Sequence, residues 1–135
     1  MKIAHLLAGV VLLAGGCAAL IEPSDDPFGG VSDVTSARIA SALAANPLGS
    51  AENPVRANMP PGQVAYLRRL RCADSQAPSF VRQGSMGLGP YGRILDAYEL
   101  TCAGSSPGSA VVYIDMYHPN HVETRAPAGF TITAP

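Results

Sequence analysis

A chain of 135 residues with 47% hydrophobic and 14% charged residues has room for one small domain plus appended segments. Its 14 glycines and 12 prolines interrupt the chain too often for a bundle of long helices. The net charge is −1 and the arginines are scattered along the sequence, which excludes the basic footprint of a nucleic-acid binder.

The chain opens with Met1-Lys2-Ile3 followed by an apolar run from Leu6 to Ile21 rich in Leu, Val, Ala and Gly. A short positive start, an apolar centre and small residues after it predict a secretory signal peptide over residues 1–16. Within it, LLAGGC from Leu12 to Cys17 resembles the lipobox of bacterial lipoproteins, with Ala14 at the place where leucine is commonest. The resemblance implies that Cys17 becomes the mature N-terminus and carries lipid, palmitate included, so that the protein is held to a membrane without crossing it. Because Ala18, not aspartate, follows the cysteine, it further implies the outer membrane, facing the periplasm. The same residues admit ordinary cleavage near Cys17-Ala18-Ala19, giving a soluble periplasmic or secreted protein. An uncleaved anchor fits less well, since a spanning helix needs ~20 predominantly apolar residues and this run fades into Ala and Gly after Leu13.

Residues 17–51 read as an acidic, lipid-anchored tether. Glu22, Asp25, Asp26 and Asp33 stand against Arg38, and Pro23, Pro27, Gly29 and Gly30 break regular structure. One short helix interrupts it from Val34 to Ala45, with Ser32 or Asp33 as its cap and Asn46-Pro47 as its stop. Ile39 and Leu43 give this helix a narrow apolar stripe.

The domain is expected over residues 52–135. After Pro60-Pro61-Gly62, the run QVAYLRRLRC repeats Val64, Leu67 and Leu70 at helical spacing, with Arg68, Arg69 and Arg71 near the C-terminal end where cations suit the helix dipole. SFVRQGSM from Ser79 reads as a strand, GLGPYG as a tight turn, and Arg93 to Tyr117 as a hairpin whose two strands flank AGSSPGS. A last short strand, GFTIT, follows Pro127. The expected architecture is α+β: a small antiparallel sheet of three to four strands covered by one helix. If Cys17 carries lipid, Cys72 and Cys102 remain as a pair that an oxidising compartment would join in a disulfide; two free thiols are the alternative.

Two catalytic look-alikes fail physical tests. Gly87 to Gly92 matches G-x-G-x-x-G, but the residues after it are strand-like where a dinucleotide site requires a helix. GSSPG matches the nucleophile elbow around Ser106, but Pro107 has no N–H to serve an oxyanion hole. No organic cofactor is therefore expected. A third pattern, Asp115, His118 and His121 in DMYHPNH, offers two imidazoles and a carboxylate as metal ligands, with Pro119-Asn120 expected to form a turn between the histidines. An unremarkable exposed turn is the competing account of the same residues.

Tyr91, Tyr98, Tyr113 and Tyr117 fall in or beside the hairpin. Those on the face away from the helix, Tyr113 and Tyr117 first, are candidates for contact with an envelope protein or a glycan. Ordinary cross-strand pairing is the simpler account of the same residues. The runs RLRCADSQAPSF, GPYGRILDAYELTC and DMYHP resemble small uncharacterised envelope lipoproteins of proteobacteria, a resemblance that implies no activity. The sequence thus points to a lipid-anchored, non-catalytic binding or structural module, with a small metal-binding protein or metal-dependent enzyme using Asp115, His118 and His121 as the alternative.

Overall fold

The computed structural model describes residues 33–135, with side-chain environments from residue 35 onward. The expected signal peptide over 1–16, lipidation at Cys17 and the acidic part of the tether lie outside the described residues. The hairpin is the centre of the fold. Strands β4 (Ile94–Thr101) and β5 (Ser109–Asp115) pair antiparallel from Leu95 opposite Asp115 to Thr101 opposite Ser109. On one side β4 also pairs with β3 (Ser79–Leu88). On its other side β5 pairs in parallel with β1 (Val55–Asn58), which pairs antiparallel with β6 (Tyr117–Val122).

The α+β class is therefore as expected, but the sheet is mixed and has five strands in the order β3-β4-β5-β1-β6, not three or four antiparallel ones. The physical reason is local. VRAN in β1 has too few apolar residues to show a period, and its partner β5 lies far away in sequence, with Val55 opposite Ile114. β6 contains Pro119 and Asn120, which read as a turn, and it is tolerated because it lies at the sheet edge. Asn120 adopts the left-handed conformation, φ 63°, within this irregular strand.

The chain passes from β1 straight into α2 (Met59–Arg69), and Met59, at φ 56°, makes the turn. Pro60 and Pro61 lie in the first turn of α2, where their missing N–H groups cost nothing. This helix starts earlier than the apolar spacing suggested and stops before Leu70. Leu70 is extended at φ −67°, ψ 148°, and Leu70–Arg71 form β2, paired with β7 (Thr131–Ile132) in a separate two-stranded sheet. Thr133 N–H also donates to Arg69 O, so the C-terminal strand takes over carbonyls that a longer helix would have used.

α2 buries Gln63, Tyr66 and Leu67. The core gathers Leu67 and Leu70 with Val55, Leu100, Val112 and Ile114, each at most 2% exposed. Burial of one such aliphatic side chain contributes roughly 1.5–3 kcal/mol. Cys72 and Cys102, at the rim of this core, stand at disulfide distance with Cα atoms 5.8 Å apart. One buried polar network crosses from helix to sheet: Tyr98 Oη donates to Gln63 Oε1 (2.7 Å), and Gln63 Nε2 donates to Asp96 Oδ2 (3.1 Å). Arg82 completes it with a 2.6 Å bond to Asp96 Oδ1. Burial disfavours the Asp96 charge, but the hydrogen bond from Arg82 outweighs it and holds the carboxyl below its ordinary range.

Helix α1 (Asp33–Ala45) is fastened at its C-terminal end by Asn53, whose Nδ2 donates to Leu43 O (3.0 Å) and Asn46 O (2.9 Å). Gly49 then lies along β5, its carbonyl accepting from Tyr113 N–H at 2.8 Å. Its φ of 91° and its closeness to Pro127 and Val112 reserve the position for glycine. Among the described residues, no helix is long and apolar enough to cross a membrane.

Candidate functional site

β6 and the end of β5 bring Asp115, His118, His121 and Glu123 to one end of the sheet. Asp115 is fully buried, and its Oδ1 accepts from Tyr117 N–H at 2.9 Å. Its Oδ2 lies 3.2 Å from His118 Nε2, an ion pair when that imidazole is protonated. Tyr91 stacks edge-on against His118 with ring centroids 4.8 Å apart, and the two imidazole rings are 6.3 Å apart. Asp115 Oδ2, His118 Nε2 and His121 Nε2 are all buried without an aligned hydrogen bond. Among the described residues, however, no group of three or more His, Cys, Asp or Glu side chains converges so as to hold a metal ion. Residues 118–121 bulge out between the two pairs that join β6 to β1, Tyr117 with Asn58 and Val122 with Ala57, and Asn120 at φ 63° lies in this bulge where the turn was expected.

Glu123 is the electrostatic anchor of this end. Burial opposes its charge, yet Arg125 donates from Nε and Nη2 at 3.0 Å each, and the N–H groups of Thr124 and Arg125 donate at 3.1 Å. Together these donors overcome burial and hold the carboxyl at about 2. His121 Nε2 lies 3.7 Å from Glu123 Oε2. Burial, aided by the nearby Arg56 charge, pushes the His121 imidazole down, towards the neutral form at pH 7.

Beside this cluster, α2 and β6 border a groove of about 590 Å³. Its apolar part is made by Pro61, Gly62, Ala65 and Tyr66 from α2 and Val122 from β6. The residues on α2 recur at helical spacing, and the small ones leave the opening because they have little side chain to fill it. Arg56, Arg68 and Arg69 also line the groove, as do His121 and Glu123. Arg69 is spent on carbonyl oxygens, Glu123 O and Thr133 O, and among the described residues it forms no ion pair with a carboxylate. The volume lies in the range of small-molecule sites, ~300–1,000 Å³.

The other residues singled out in the sequence occupy structural positions. Tyr113 and Tyr117 are half-buried, and Tyr98 lies in the core. GLGPYG ends β3 with Gly87 and Leu88 and supplies most of its connection to β4, closed by Gly89 N–H to Arg93 O. Ser106 lies in the β4–β5 connection and its carbonyl accepts from Ala73 N–H. The groove itself was missed at the sequence level; the repeat of Pro61, Ala65 and Arg68 along one side of QVAYLRR was the available signal. Searches against protein-family models, curated proteins and solved structures find no match to this chain.

Proposed function

We propose that the protein is a lipid-anchored cell-envelope protein, facing the periplasm from the outer membrane, whose small domain is a non-catalytic binding module. The groove between α2 and β6 carries the binding part of this reading, being preformed, largely apolar and edged with polar groups of fixed position. The acidic side chain that lines it supports a non-catalytic role, because Glu123 is engaged by Arg125. The lipobox-like LLAGGC supports the anchor, and the Cys72–Cys102 pair suits an oxidising compartment.

The test has two arms. Metabolic labelling with an alkyne-bearing palmitate should label the wild type and leave Cys17→Ser unlabelled; labelling that survives the substitution rejects the anchor. A photo-crosslinking residue at exposed Val122, on the groove wall, should capture envelope components that one at Val81, on β3, does not. Identical captures from both positions reject the groove as the binding surface.

A further inference from the structure

The arginines are scattered in the sequence but not in the fold. Arg56 comes from β1 and Arg68 and Arg69 from the last turn of α2, and all three line the α2–β6 groove in a chain whose net charge is −1. Among the described residues, the side chains of Arg56 and Arg68 have no hydrogen bond or ion pair, and Arg69 bonds to neutral carbonyls. The carboxylate on the groove wall, Glu123, is already neutralised by Arg125 from outside the groove. An apolar groove is thus edged by three guanidinium groups, none of which has a carboxylate within ion-pair distance among the described residues. His121, on the same wall, has its Nε2 buried 3.7 Å from Glu123 Oε2.

We infer that this groove binds a single-chain amphiphile with an anionic head, its apolar chain lying along Pro61, Ala65, Tyr66 and Val122 and its head held by the guanidinium groups. The inference rests on the binding-module reading and names the ligand class of that site. A neutral apolar ligand would leave the three charges without partners, and a cationic one would meet repulsion from them. A guanidinium fork suits a carboxylate or a phosphate monoester, which it can bind through two parallel N–H bonds. The small residues at 61, 62 and 65 suit an unbranched chain, which needs length more than width. α2 runs back along β1, and Arg69 reaches Glu123 O, so the cations of its last turn and Arg56 gather towards one end of the groove. The first turn, with Pro61 and Gly62, supplies the other end for the chain.

The experiment uses decanoate below its micelle concentration as the probe, titrated calorimetrically into the oxidised domain. Decyl phosphate tests the second head group, and decyltrimethylammonium matches the chain with the opposite charge. Two variants at exposed positions outside the core keep the fold: Arg68→Glu reverses one charge, and Ala65→Phe fills the apolar part. Binding of at least one anionic probe, about tenfold weaker in Arg68→Glu and in ~0.5 M salt and lost in Ala65→Phe, is the expected result. Equal binding of decyltrimethylammonium, or unchanged anionic binding in both variants, overturns the inference. Failure of both anionic probes to bind also overturns it. A groove-specific capture at Val122 would in that case still uphold the binding-module reading with a different ligand class.

Discussion

Reduction of the Cys72–Cys102 pair is the perturbation whose size follows most directly from the fold. The two cysteines are 30 residues apart in sequence. In the chain-entropy model, closing a loop of that length removes roughly 12 cal/mol/K from the unfolded chain, or about 3.7 kcal/mol at 25 °C. Native geometry at the pair does not depend on the bond alone. Ala73 N–H donates to Ser106 O and Asp74 N–H to Ser105 Oγ, both at 3.1 Å, so the two loops remain tied when the sulfurs part. The reduced domain should therefore stay folded and lose stability mainly through its freer unfolded state. Both cysteines are buried, at 3% and 4% exposure, so alanine substitutions would add packing losses; reduction of the wild type with a phosphine isolates the loop effect. Urea unfolding should show a loss of about 3–4 kcal/mol, and thermal unfolding a fall of roughly 15–25 °C for a domain of this size. A loss below about 1 kcal/mol would refute the reasoning.

Other perturbations test the buried polar groups and the tight backbone. Gln63→Leu leaves Tyr98 Oη and Asp96 Oδ2 without their helix partner; it should cost on the order of 2–3 kcal/mol in urea unfolding, and a neutral result would remove the network from the account. Glu123 and Asp96 both have carboxyls held below their unfolded values, so the stability they contribute is fully present above about pH 5 and is lost as the pH falls towards 2. Allowing for solvent screening, Glu123 should account for about 1–2 kcal/mol of that loss, and Glu123→Gln should flatten the pH profile between pH 5 and pH 2 by that amount. Gly49→Ala should cost on the order of 1–2 kcal/mol, because its φ is 91° and a Cβ would stand 3.3 Å from both Pro127 Cβ and Val112 Cγ1. Stability unchanged by that substitution would show that the segment along β5 does not contribute to the folded domain.

The hairpin was legible because its strands concentrate Ile, Leu, Tyr and Val around a cluster of turn residues, and GLGPYG marked the connection before it. The pairing of Cys72 with Cys102 was legible from the cysteine count together with the expected oxidising compartment. The parallel neighbour of β5 was not, since four residues, VRAN, have no room for a repeat and long-range pairing leaves no local trace. β6 was hidden by its own chemistry. Pro119 and Asn120 are strong turn formers and occupy a bulge, so only Tyr117 and Val122 on either side of it pair with β1 at the sheet edge. The end of α2 was hidden for a related reason, because Leu70 continues the apolar spacing of Leu67 but is claimed by pairing with Ile132. Of the site, the histidines and Asp115 were visible as a local motif, whereas the groove depends on how α2 crosses β1 and β6. Arginines from two stretches of sequence, β1 and the last turn of α2, meet only after that crossing.

The intact mass of the protein, extracted gently from its own membranes, reports lipid attachment at Cys17 and the state of Cys72 and Cys102 in one spectrum. The account predicts a chain beginning at Cys17, heavier by a diacylglyceryl group and an amide-linked acyl chain, and lighter by two hydrogens for the Cys72–Cys102 bond. A mass that begins at Met1, or one that begins beyond Cys17 with no acyl addition, would contradict it.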